Sequence, residues 1–154
     1  MNTFITTIKT YAKENGWIMM EGSRFSSENM CGISKPTNDE FEEPIRIDLL
    51  ENGLVAFRKP LFHLFNADNP LDHTVSATLL HRNSNLKGFW GMSPVKALGT
   101  TGFMVHYLRQ VFLSEMDSGV FKEIVNNLED EVEKIRSVLN LNRKPSWEMS
   151  HVNI

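Results

Sequence analysis

Phe4, Ile5, Ile8, Tyr11 and Ala12 recur at helical spacing, and Gly16 follows them as a stop. This pattern predicts a short amphipathic helix over residues 2 to 15. Trp17-Ile18-Met19-Met20 is short and apolar and reads as a strand, with a second strand expected near residues 30 to 34. Residues 35 to 44 are polar, with two prolines and a run of acids, and read as a loop. Ile45, Ile47 and Leu49 then alternate with Arg46 and Asp48, and Leu54-Val55-Ala56-Phe57 follows Asn52-Gly53. Asn-Gly between two apolar runs predicts a hairpin whose two turn positions both take positive φ. The face that alternates before this turn does not continue cleanly after it.

Residues 66 to 73 break the pattern. Asp68 or Asn69 can cap a helix with Pro70 at its first position. That helix, over residues 70 to 83, carries Leu71, Val75, Thr78, Leu79 and Arg82. Residues 103 to 113 are rich in β-branched and aromatic side chains and too apolar on both faces for an exposed edge. They read as a long central strand, with residues 93 to 102 as the turn before it. Phe121, Ile124, Val125, Leu128, Val132, Ile135 and Leu139 step by threes and fours along a closing helix. Asp117 or Ser118 can cap it, and Glu129, Asp130, Glu131 and Glu133 are expected to face away from its apolar stripe. The elements run α, three or four strands, α, two strands, α. This order predicts an α+β fold, α-β-β-β-α-β-β-α, with an antiparallel sheet and helices packed on one face. Residues 1 to 140 form the single domain, and residues 141 to 154 form a polar C-terminal tail.

Between the middle helix and the last strands lies Leu79-Leu80-His81-Arg82-Asn83-Ser84-Asn85-Leu86-Lys87-Gly88-Phe89-Trp90-Gly91-Met92. Gly88 and Gly91 are expected to let the backbone turn tightly there. Phe89 and Trp90 should point to opposite sides, at least one into the core. The stretch therefore reads as a structural joint rather than a ligand pocket.

A net charge of −3, with 16 basic against 19 acidic residues, gives no general attraction to phosphate backbones, so nucleic acid is not an expected partner. The one cysteine, Cys31, rules out an intrachain disulfide. A reducing, cytoplasmic setting fits. Residues 1 to 9 lack the charged start and apolar run of a signal peptide, and no window approaches the roughly 18 apolar residues of a membrane span.

The chemistry-bearing residues form no recognisable constellation. His63, His73, His81, His106 and His151 show no metal-ligand spacing, so neither a metal nor a cofactor is expected. His106 reads as a satisfied core histidine and Cys31 as a buried free thiol. There is no nucleophile elbow, phosphate loop or dinucleotide fingerprint. The acid run at residues 39 to 43 lacks calcium-loop geometry and reads as a solvated loop. No catalytic residue is expected.

The strings Glu51-Asn52-Gly53-Leu54-Val55-Ala56-Phe57 and Leu79-Leu80-x-x-Asn83, the Gly88-Phe89 turn and the long closing helix together resemble the YbjN family. They also resemble the class I type III secretion chaperones of the Tir-chaperone type. Leu79, Leu80, Asn83, Gly88 and Phe89 carry the pattern, and residues 92 to 99 depart from the short acidic turn expected in it. The resemblance implies a non-enzymatic homodimer that holds a polypeptide partner on an apolar sheet or helix surface.

Six of the eight methionines (Met19, Met20, Met30, Met92, Met104 and Met116) fall in or beside the predicted sheet. Unbranched thioethers suit adaptable binding surfaces, and they equally fill irregular cores. Met92, Met104, Phe112 and Trp90 are the residues expected to meet a partner. The alternative is a small ligand-binding protein or enzyme with a pocket near His81, Trp90 and His106.

Overall fold

A computed structural model describes residues 3–20, 28–36, 43–65, 70–83, 87–97 and 100–139, with side chains described except at 62–65, 70–74, 94–97 and 100–103. The caps at Asp68 and Asn69, most of the 35–44 loop, the acid run at 39–42, and the tail with His151 lie outside these residues.

Helix α1 spans Thr3–Glu14 and buries Phe4, Ile8 and Ala12. Its end is a Schellman motif: Trp17 N–H donates to Ala12 O at 2.9 Å and Gly16 N–H to Lys13 O at 3.1 Å, with Gly16 at φ +70°. Strands β1 (Ile18–Met20), β2 (Met30–Ser34), β3 (Ile45–Leu49) and β4 (Leu54–Phe65) follow, then helix α2 (Pro70–Arg82). Strands β5 (Phe89–Ala97) and β6 (Thr100–Phe112), a 3-10 turn at Leu113–Glu115 and helix α3 (Ser118–Val138) come next. The fold is α+β, with one six-stranded antiparallel sheet ordered β1-β2-β3-β4-β6-β5.

The β3–β4 hairpin exists as expected, but its loop differs. Leu50 N–H donates to Leu54 O and Gly53 N–H to Leu50 O, so residues 51 to 53 form a three-residue loop. Gly53 carries the left-handed φ of +81°, and Asn52 Oδ1 accepts from Leu54 N–H at 3.1 Å. A turn followed by a left-handed glycine adds one residue to the two of a tight hairpin. That added residue is why the alternation did not carry across Asn-Gly.

Strand β4 runs well past Phe57, through Arg58-Lys59-Pro60. Pro60 pairs with His106 and Leu64 with Met104, so β4 takes four steps while β6 takes two. Pro60 cannot donate to the ladder, and a bulge there accommodates it. Residues 93 to 97 and 100 to 102 belong to β5 and β6 rather than to a turn. Pro94 is tolerated because β5 is an edge strand. Strand β6 lies inside the sheet between β4 and β5, as its two apolar faces require.

Helices α1 and α3 pack against the sheet face formed by Ile33, Ile45, Ile47, Val55, Phe57, Val105 and Tyr107. Asp117 caps α3, accepting from Val120 N–H at 2.8 Å. The stripe of Phe121, Ile124, Val125, Leu128, Val132 and Ile135 is buried as its spacing demands. Glu131 and Arg136 are buried as well, so Glu131 does not face away from the core.

Candidate functional site

The joint between α2 and β5 is built by polar side chains. Asn83, just past the end of α2, accepts from Trp90 N–H through Oδ1 at 2.6 Å and donates through Nδ2 to Trp90 O at 3.2 Å. One side chain thus takes the place of a neighbouring strand. Trp90 stacks tilted on Tyr107 with ring centroids 5.3 Å apart. Its indole Nε1 donates to Glu131 Oε1 at 3.2 Å. Arg82 grips the same carboxylate in a bidentate pair at 2.6 and 2.8 Å. These hydrogen bonds to Glu131 hold the Arg82 guanidinium above its ordinary pKa.

Gly88 is required here for a reason other than the turn. A Cβ at Gly88 would lie 2.3 Å from Leu108 O and 2.7 Å from Arg109 Cγ. Gly88 N–H also donates to Tyr107 Oη at 3.0 Å, and burial raises the phenol's pKa. The backbone approaches β6 too closely for any side chain, and positive φ occurs at Gly16 and Gly53 instead. Gly91 lies within β5, where a Cβ would meet His106 Nε2 at 3.3 Å. Phe89 and Trp90 do point to opposite sides: Trp90 is in the core and Phe89 is exposed.

The residues of the alternative pocket do not converge. His81 is exposed on α2. Trp90 pairs with Tyr107 and Gly91 with His106, so Trp90 and His106 face opposite sides of the sheet. The side chains of His63 and His73 lie outside the described ones. Cys31 is buried and unbridged, and no cluster of three metal-ligating side chains occurs among the described residues.

Of the residues expected to meet a partner, Met92 and Phe112 are exposed, at 52% and 46%. Met104 is half-buried on the face opposite the helices, and Trp90 is enclosed in the core, where a partner cannot reach its ring. Ile18 and Phe89, at 57% and 47% exposed, join Phe112 by strand register on the helix-free face, the sheet face that no helix covers among the described residues. Neither was among the residues expected to meet a partner, because period-2 alternation locates a face only once the register is known.

The same face carries a cavity of about 220 Å³ lined by Glu43, Pro44, Arg46, Arg58, Pro60, Ser93, Met104 and His106. His106 is buried, with its ring on this face, and burial, helped by the charge of Arg58, lowers its pKa to about 4. The imidazole is therefore neutral at physiological pH. No signal in the sequence joins Arg46, Arg58 and His106, which come from three different strands.

No helix among the described residues is long and apolar enough to cross a membrane. No protein-family model and no curated protein matches the chain. Among solved structures, a chain in the HopA1–SchA chaperone–effector complex aligns with a TM-score of 0.56 at 14% identity, over 88% of this chain and 95% of that one. YbjN from E. coli aligns with a TM-score of 0.56 at 12% identity, over 92% of this chain and 91% of that one. At such identities the likeness is one of fold: this chain has the α+β architecture found in YbjN and in the chaperone–effector complex.

Proposed function

We propose that this protein is a polypeptide-binding module of the secretion-chaperone kind, that it acts as a homodimer, and that it turns over no substrate. The observation that carries the reading is the open side of the sheet. Strand β5 is an edge strand paired to β6, open beyond Trp90, whose outward backbone groups are taken by Asn83, and it carries exposed Phe89 and Met92 on its two faces. An open ladder beside apolar side chains suits an extended segment, which gains main-chain hydrogen bonds and side-chain burial together. The fold shared with a chaperone–effector complex supports the same reading. In the dimer, the helix-free face is the surface available to a second copy, and a stable contact there buries about 1,200–2,000 Å².

Light scattering at micromolar concentration tests the dimer. The expected mass is twice 17.7 kDa, and a species of 17.7 kDa overturns the claim. Amide hydrogen exchange tests the binding. A reduced and alkylated globular protein, permanently unfolded, should slow exchange in β5, and unchanged exchange together with no complex on gel filtration refutes it.

A further inference from the structure

The helix-free face holds a pairing that isolated folding does not favour. Arg46 and Arg58 are direct cross-strand partners in β3 and β4. Like charges set opposite one another destabilise a ladder. Arg46 is offset by Asp48, which accepts from its Nε at 3.1 Å. Arg58 Nε is buried and without a hydrogen-bond partner among the described residues. A buried guanidinium N–H left unsatisfied carries a desolvation cost that an anionic partner would remove. Both arginines line the cavity, with Arg46 exposed and Arg58 half-buried.

The remaining walls narrow the chemistry. Ser93 offers a hydroxyl and His106 a neutral imidazole, while Pro44, Pro60 and Met104 are apolar. Glu43 also lines the cavity and disfavours a ligand of high negative charge. The volume of about 220 Å³ exceeds the roughly 10–15 Å³ that one water requires. Gly91 keeps the space beside His106 open, since a Cβ there would lie 3.3 Å from Nε2.

We propose that this cavity is a binding site for a monocarboxylate with a short aliphatic body, with Arg58 pairing the carboxylate and Pro60 and Met104 covering the chain. A guanidinium matches a carboxylate in charge and geometry, and a single negative charge offsets Arg58 without opposing Glu43 strongly. The cavity shares the helix-free face with the proposed dimer contact and takes Ser93 from β5, but carboxylate binding there requires neither a second copy nor an extended segment on β5.

The test is a titration of the full chain with butyrate, followed by the ring resonances of His106. Saturable shifts are expected with butyrate and not with n-butanol, which has the same body without the charge. Arg58→Gln should weaken binding about tenfold or more, as loss of one charged hydrogen-bonded pair does. Gly91→Ala, which crowds the cavity from the other side, should weaken it too. In the bound state the imidazole should protonate more readily, lifting its pKa from about 4, because an anion then sits beside His106 with Arg46, Arg58 and Glu43. An acetylated, amidated glutamate that displaces butyrate identifies an acidic side chain of a bound polypeptide as the natural source; failure to displace identifies a free acid. Absence of saturable butyrate binding overturns the proposal, as does equal binding by Arg58→Gln. Inorganic phosphate binding as tightly as butyrate overturns the carboxylate assignment.

Discussion

Trp90 and Gly91 are neighbours in β5, yet they belong to opposite faces of one ladder that treat polar groups differently. Around Trp90, polar groups are enclosed and paired. Glu131 receives Arg82 and the indole of Trp90, Asn83 spans both backbone groups of Trp90, and Tyr107 Oη accepts from Gly88. On Gly91's side, Arg58 keeps a buried, unpartnered Nε, and His106 is held neutral beside it. Satisfied buried polar groups specify a fold and resist change. A buried donor without a partner in a cavity wall leaves a position that a ligand can satisfy. The covered face is therefore where substitutions should cost stability, and the bare face is where they should cost binding.

The largest effect should come from Trp90→Ala. It empties a core site and removes one hydrogen bond from Glu131, so urea unfolding followed by circular dichroism should show a loss of about 3–5 kcal/mol. A loss below about 1 kcal/mol would mean that the covered face tolerates cavities and that the contrast between faces is false. Gly88→Ala should come next, at about 1–3 kcal/mol, because its Cβ meets the backbone oxygen of Leu108, which cannot swing aside. Gly91→Ala sharpens the point. It meets only the ring of His106, and a smaller loss is expected. Asn83→Ala, which orphans both backbone groups of Trp90, should cost about 1–3 kcal/mol in the same assay.

A pH titration probes the bare face. The folded-state pKa of His106 is about 4, below the ordinary 6.5, so the unfolded chain binds more protons between these values. The stability His106 contributes is then fully present above pH 6.5 and is lost as the pH falls toward 4. Melting temperatures of the His106→Asn variant should decline less over that window than those of the parent; parallel declines would show that His106 is not held neutral. The smallest effect is expected from Arg58→Gln, which should leave stability within about 0.5 kcal/mol of the parent or raise it. A large loss would reveal that Arg58 serves the fold rather than a ligand.

Periodicity and punctuation determined much of this architecture. The stripe from Phe121 to Ile135, the cap at Asp117 and the stop at Gly16 are local devices, each acting within a few residues of itself, and a linear reading suffices for them. The interior place of β6 was legible for a similar reason: a long run rich in β-branched and aromatic residues suits a central strand better than an exposed edge.

Tertiary structure alone decided the rest. Lys59 follows Arg58 and precedes Pro60, a polar run that mimics a loop, yet its ammonium is buried with Glu129 at 3.5 Å and the carbonyl of Glu43 as partners. Glu131 sits in a run of acids on α3, and only Arg82 and Trp90, more than forty residues away, explain its burial. Gly88 reads as a turn residue until Leu108 O is found against it. Arg46, Arg58 and His106 become a group only through the register of β3, β4 and β6, and one step of slip would send each to the other face. Local sequence sets each residue's preference for helix, strand or cap; which polar groups share a cavity depends on contacts between distant segments, which no local pattern encodes.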